Sequence, residues 1–215
     1  MPRIVASLIA ALGCFAAMSF EANAGPVGAA ATAQTEFESP YQAGDWEIQA
    51  MAGPYWDLEV YANQPTFDYV LESLRIGYML IDVIGHGLWR GNLELLVDAS
   101  GGEFFRGPAN YLVGGNVLLR WNLLQVDWPK WVPYLQLGAG GLYHDARNVD
   151  TRPQAIFGSN VEAMLQAGIG TRYHLNKRWS IDGELGYRHI SNANTSAHNR
   201  GLNSLGGALG LSYFF

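Results

Sequence analysis

The chain has 215 residues, 49% apolar and 15% charged, with a formal net charge of −6. So low a charged share, against roughly 25% in soluble domains, together with abundant aromatic residues excludes intrinsic disorder. The acidic balance excludes nucleic acid as the main partner, and a single cysteine, Cys14, excludes a disulfide framework. A mean hydropathy of zero is too polar for a helical membrane bundle.

The first segment reads as a targeting signal. Arg3 gives a short positive region, Ile4 to Met18 is almost wholly apolar or small, and Ala22-Asn23-Ala24 forms a small-x-small cleavage site. A cleaved signal peptide is therefore expected over residues 1–24. The competing lipobox reading, Ala11-Leu12-Gly13-Cys14, is the weaker, because Phe15 to Met18 continue the apolar run. Residues 25–44, rich in Ala, Gly and Thr, read as a flexible lead-in to a domain over 45–215.

Period-2 apolar patterning then recurs in eight segments separated by turn-forming residues. They are Trp46–Trp56, Tyr69–Ile81, Trp89–Ala99 (closed by Ser100-Gly101-Gly102), Tyr111–Leu123, Trp131–Tyr143, Val161–Leu175, Trp179–Ser191 and Asn203–Phe215. In the fourth, Val113, Val117, Leu119 and Trp121 share one face, while Asn116, Arg120 and Asn122 share the other. In the seventh, Trp179, Ile181, Leu185 and Tyr187 oppose Asp182, Glu184 and Arg188. Strands of about 11–15 residues are long enough to cross a bilayer on a tilt, whereas soluble strands average about 5–6. Tryptophans sit near the strand ends, where aromatic girdles belong, and the chain stops on Tyr213-Phe214-Phe215. The expected fold is all-β: an eight-stranded antiparallel transmembrane barrel of the outer-membrane type, apolar outside and polar within.

One segment carries chemistry. Residues two apart on a strand point the same way, so His189 and Ser191 share the odd-numbered, lipid-facing side with Tyr187. A serine beside a histidine there suits nucleophilic attack on an ester within a lipid. Asn203 has the same parity at the start of the eighth segment, and the loop before it lets it lie beside His189 across the antiparallel pair. The plainer alternative is an interfacial His and Ser at a barrel rim, with no chemistry. Other features read as structural. Gly138-Ala139-Gly140-Gly141 is a bend within a strand, and His86, His144 and Asp145 are solvated loop residues. His174 opens a tight turn, and Asp182 and Glu184 pair with Arg188 inside. No spacing suggests a metal site.

Arg188-His189-Ile190-Ser191-Asn192-Ala193, followed by Asn199-Arg200-Gly201-Leu202-Asn203, resembles the C-terminal signature of the lipid A 3-O-deacylase (PagL) family, also labelled acyloxyacyl hydrolase-like. The resemblance implies an eight-stranded outer-membrane barrel, with Ser191 as nucleophile, His189 as base and Asn192 stabilising the oxyanion. The best-known member carries a Glu where this chain has Asn203. An Asn orients an imidazole through its carbonyl oxygen but brings no full charge to stabilise imidazolium. The implied reaction is hydrolysis of the ester-linked 3-hydroxyacyl chain of lipid A, a serine-esterase reaction calling for no cofactor. Implied partners are lipopolysaccharide and outer-membrane lipids, with a homodimer left open. Three rivals stand beside it: a catalytically silent structural or adhesive barrel, a lipid acyltransferase, and a phospholipase-type esterase.

Overall fold

A computed structural model describes residues 40–60, 64–149, 156–196 and 200–215. The expected signal peptide and most of the lead-in lie outside the described residues. Eight strands close on themselves in chain order: β1 (Trp46–Asp57), β2 (Asp68–Met79), β3 (Gly91–Arg106), β4 (Tyr111–Leu123), β5 (Trp131–His144), β6 (Val161–His174), β7 (Trp179–Ser191) and β8 (Leu202–Phe214). Every neighbouring pair is antiparallel, and β1 pairs with β8 to shut the barrel, Glu47 opposite Phe214 and Trp56 opposite Leu205. Closure leaves no sheet edge, so every strand can satisfy its backbone groups inside a bilayer. Among the described residues, a 3-10 turn, Gly87–Trp89, and a short helix, α1 (Ala146–Val149), lie in the connections.

The period-2 patterning sorts as expected. Leu74, Ile76, Val97, Val117, Leu185 and Leu209 stand exposed on the outer wall, whereas Arg75, Arg120, Arg172 and Arg188 are fully buried within. Buried charge is tolerable only when paired and hydrogen-bonded. Arg172 meets Glu47 at 2.7 Å and Asp182 at 3.1 Å; Arg120 meets Glu47 at 3.1 Å. Arg75 grips Glu184 through both terminal nitrogens, at 2.8 and 3.1 Å, and the Tyr134 hydroxyl donates to the same carboxylate. This charged layer is sealed on both sides. Towards the chain termini lie Tyr41, Met79, Leu124, Val132 and Phe214. Towards the opposite end, a larger apolar cluster includes Tyr55, Phe67, Tyr69, Phe157, Ile190 and Leu202.

The structure corrects the sequence reading in several places. Ser100-Gly101-Gly102 does not close the third strand, which begins at Gly91 and runs on to Arg106, paired on both sides. A Cβ at Gly102 would lie 2.3 Å from the Val70 carbonyl oxygen, so glycine there admits a close neighbour instead of making a turn. The chain turns beyond Arg106, at Gly107, whose φ of 109° suits glycine. The Gly138–Gly141 run lies within β5, in register with β4 and β6, and a Cβ at Gly140 would meet the Gly115 carbonyl at 2.1 Å.

His144 and Asp145 are buried, not solvated. His144 packs on Phe157, and Asp145 accepts from the Asn110 backbone and amide nitrogens at 2.8 and 2.6 Å and from Tyr111 N–H at 3.2 Å. Those donors outweigh the burial that opposes them, and hold the Asp145 carboxyl below its ordinary range. His174 ends β6 with its ring buried, 2.8 Å from the Tyr41 hydroxyl. Tyr41 is itself fully buried, so this part of the expected lead-in is packed into the barrel end. Asp182 and Glu184 do face inward, but their partners are Arg172 and Arg75. Arg188 instead lies over the Tyr55 ring, 4.9 Å from its centroid, and donates to Met164 Sδ at 3.6 Å.

Candidate functional site

The end of β7 and the start of β8 are fixed from the inside. Ile190 and Leu202 face each other across the pair, both buried in the apolar cluster at that end. Alternation then forces their neighbours outward: His189, Ser191 and Asn203 are half-buried on the outer wall. Strand β7 stops at Ser191. The chain leaves through a turn in which the Asn192 carbonyl accepts from Thr195 N–H at 3.0 Å and Thr195 Oγ1 at 2.7 Å. Ala193 and Asn194 hold left-handed backbone there, with φ of 51° and 65°. That conformation is ordinary for Asn and costly for Ala, so the turn beside Ser191 is held by its surroundings.

The structure brings two of the expected residues into contact and sets a third on the same face. His189 and Asn203 are direct cross-strand partners, and His189 Nδ1 lies 2.8 Å from Asn203 Oδ1. Asn203 is held at its backbone as well, its carbonyl accepting from Leu58 N–H at 2.8 Å. Ser191 sits two residues beyond His189 on the same face, with Ala163 of β6 opposite it. Among the described residues no hydrogen bond joins Ser191 Oγ to the imidazole. The Asn192 side chain is buried, 3% exposed, and so does not share the open face of Ser191.

Sequence reading missed two residues. Gly201, read only as part of a signature, has a φ of 72°; a Cβ on it would meet His189 Cε1 at 3.0 Å and the Ile190 carbonyl at 3.2 Å. Its missing side chain leaves room for the ring. Tyr187, read as one more lipid-facing aromatic, donates its hydroxyl to Asn203 Oδ1 at 2.6 Å. Its placement two residues before His189 was visible in the sequence, but nothing there showed the hydroxyl turning towards Asn203. The surrounding wall is apolar, with Leu165 opposite His189 and Leu205 opposite Tyr187. Below it lies a shallow apolar groove lined in part by Ile169, Gly183, Leu185, Gly207 and Leu209.

A closed barrel with an apolar outer wall and a polar filling defines an outer-membrane barrel, and this one carries Ser191, His189 and Asn203 on one face of that wall. The family model of the lipid A 3-O-deacylases (PagL) matches residues 27–212, and the chain belongs to that family. The family is one of ester hydrolases of the Gram-negative outer membrane, and its activity, removal of the 3-O-linked acyl chain of lipid A, is this chain's activity.

Among solved structures, the chain is similar to neisserial surface protein A, at 16% identity and a TM-score of 0.56, covering 80% of this chain and 99% of that one. It is also similar to the outer-membrane enzyme PagL, at 15% identity and a TM-score of 0.49, covering 79% and 98%. OprG of Pseudomonas aeruginosa matches at 16% identity and a TM-score of 0.49, covering 84% and 99%. The first of these supports the barrel fold. No curated protein sequence matches the chain.

Proposed function

We propose that this protein deacylates lipid A by a serine-esterase mechanism on the outer wall of its barrel, with Ser191 as nucleophile, His189 as general base and Asn203 as the residue that orients the imidazole. The observation that carries this reading is the 2.8 Å contact between His189 Nδ1 and Asn203 Oδ1, on the face that also bears Ser191. An amide oxygen can only accept, so with Oδ1 facing the ring the neutral imidazole carries its proton on Nδ1 and Nε2 is left as the base.

The chemistry follows in two halves. Ser191 Oγ bonds to the ester carbonyl carbon as Nε2 takes the hydroxyl proton, giving a tetrahedral oxyanion. Asn192, next to the nucleophile, is the proposed oxyanion donor; with its side chain buried, its backbone N–H is the group suited to that role. Collapse breaks the bond to the sugar oxygen, which leaves as a hydroxyl with the proton from Nε2. Water, deprotonated by the same nitrogen, then cleaves the acyl-serine and releases a 3-hydroxy fatty acid. Lipid A chains lie in the same layer as this wall, so the ester reaches Ser191 without leaving the membrane, and the groove below offers the acyl chain an apolar bed.

A fluorophosphonate probe, which phosphonylates activated serines, tests the roles directly. Peptide mapping of the barrel folded in detergent is expected to find the label on Ser191, and His189→Ala is expected to suppress it. Label on another residue, or undiminished labelling in His189→Ala, contradicts the assignment.

A further inference from the structure

Asn203 meets the imidazole with one of two chemically opposite ends. With Oδ1 towards His189, the ring is held as the Nδ1–H tautomer and Nε2 is a base. With the amide turned over, Nδ2–H would donate to Nδ1, the ring proton would move to Nε2, and the base would be lost. A carboxylate at this position would have no such ambiguity, because both its oxygens accept. The neutral Asn203 therefore leaves a problem of orientation that some other group has to solve.

The Tyr187 hydroxyl is 2.6 Å from Asn203 Oδ1, the same atom that meets His189 Nδ1. A carbonyl oxygen has two lone pairs and accommodates both donors. A phenol is a strong donor and a weak acceptor, since its oxygen lone pairs are drawn into the ring. It therefore favours the amide orientation that presents Oδ1 over the one that presents Nδ2. The cross-strand neighbours of His189 and Tyr187, Leu165 and Leu205, are apolar and offer neither ring a competing hydrogen-bond partner through their side chains. The main chain fixes the partners too: Tyr187 precedes His189 by two on β7, and Asn203 is held by the Leu58 N–H.

We propose that Tyr187 is a positioning residue for this reaction: its hydroxyl locks the Asn203 amide with Oδ1 towards His189 and so keeps Nε2 free to act as base. The inference rests on the Ser191–His189 reading above. It assigns Tyr187 a role beyond that of an interfacial aromatic, and it applies because the third residue is an amide.

The test is Tyr187→Phe, which keeps the ring on the lipid-facing wall and removes only the oxygen, made in the native chain and in Asn203→Glu. With a lipid A ester in detergent, the native-background variant is expected to lose roughly two- to tenfold in kcat with KM little changed, the range of one neutral hydrogen bond. In Asn203→Glu the same change is expected to leave kcat nearly as it was, because a carboxylate needs no orienting. Nitrogen-15 NMR of labelled histidine gives a second readout that does not depend on the Glu variant being active. His189 is expected as the Nδ1–H tautomer in the native protein, with Nε2–H signal appearing in Tyr187→Phe. Native kcat and tautomer in Tyr187→Phe, or equal losses in both backgrounds, overturn the inference while leaving the Ser191–His189 reading standing. Full activity in Ser191→Ala overturns both.

Discussion

Two polar clusters of the barrel, one inside and one on its outer wall, are built on opposite rules. Inside the barrel, Arg75, Arg120 and Arg172 are matched with Glu47, Asp182 and Glu184 in a layer closed off from solvent. On the outer wall, Tyr187, His189, Ser191 and Asn203 carry no formal charge with the imidazole neutral, and lie partly open to the membrane. The inner cluster holds many ionisable groups paired with one another in a filled interior. The outer one has few groups, none a carboxylate, and is partly open on the lipid-facing side. Density of charge therefore marks the scaffold here, and its absence marks the proposed site.

The inner cluster can be broken first, and with the largest effect. Arg172→Met leaves Glu47 and Asp182 buried without a cation they now contact, which is expected to cost about 3–5 kcal/mol of folding stability. Urea unfolding of the detergent-folded barrel, followed by heat-modifiable gel migration, measures it. A barrel as stable as the native one would show that the layer is not what holds the wall in place.

The outer wall is tested by depth. Leu209, 73% exposed near the middle of β8, faces the bilayer core, and Leu209→Arg is expected to cost about 2–4 kcal/mol. Phe215, past the strand end, is expected to tolerate Arg at a cost of about 0–1 kcal/mol. Equal costs in a vesicle-folding titration would contradict a lipid-facing wall. An inner-face position gives no mild control: Ser212 is fully buried and donates to Asp182 at 2.9 Å, so a larger side chain there meets a filled layer.

Within the site, Asn203→Leu removes the acceptor from His189 Nδ1. Losing it is expected to cost about 1–3 kcal/mol in the barrier, or roughly fivefold to 150-fold in kcat. Asn203→Glu is expected to match or exceed the native rate, since a carboxylate orients the ring and also stabilises imidazolium. Unchanged specific activity in Asn203→Leu would remove this residue from the mechanism.

The smallest effect belongs to the loops. The Asp145 carboxylate clamps Asn110 and Tyr111, and its folded-state pKa lies below that of the unfolded chain. Its stabilising contribution is therefore complete above the unfolded value, about 3.9, and disappears as pH falls through the folded one. Native protein is expected to lose protease resistance in the Asn110 loop on acidification, and Asp145→Asn to show a weaker pH dependence there. Identical profiles would deny the clamp.

Strand parity carried most of this architecture, because a wall with lipid on one side and packed polar groups on the other enforces a period of two. It also predicted that His189 would face Asn203, the register the structure has. Pattern failed where spacing is set by contacts across the sheet. Gly102 looks like a turn in one dimension, and only the Val70 carbonyl beside it shows otherwise. His144, read as a solvated loop residue, is packed on Phe157 from the next connection, and His174, which does open a turn, is buried against Tyr41 from the other end of the chain. The pairing of Asp182 and Glu184 with Arg172 and Arg75 was equally hidden, since charge identity does not say which strand supplies the partner. Tyr187 was visible as a residue and invisible as a donor.

The central claim is that Ser191, on the outer wall, cleaves the 3-O-linked acyl chain of lipid A. Mass spectrometry of lipid A from cells producing the native chain, the Ser191→Ala variant or no copy measures it most directly. The native chain is expected to shift lipid A down by the mass of one 3-hydroxyacyl group, and Ser191→Ala, present at equal level and with normal heat-modifiable migration, to leave it as in cells with no copy. The same downward shift from Ser191→Ala would contradict the account.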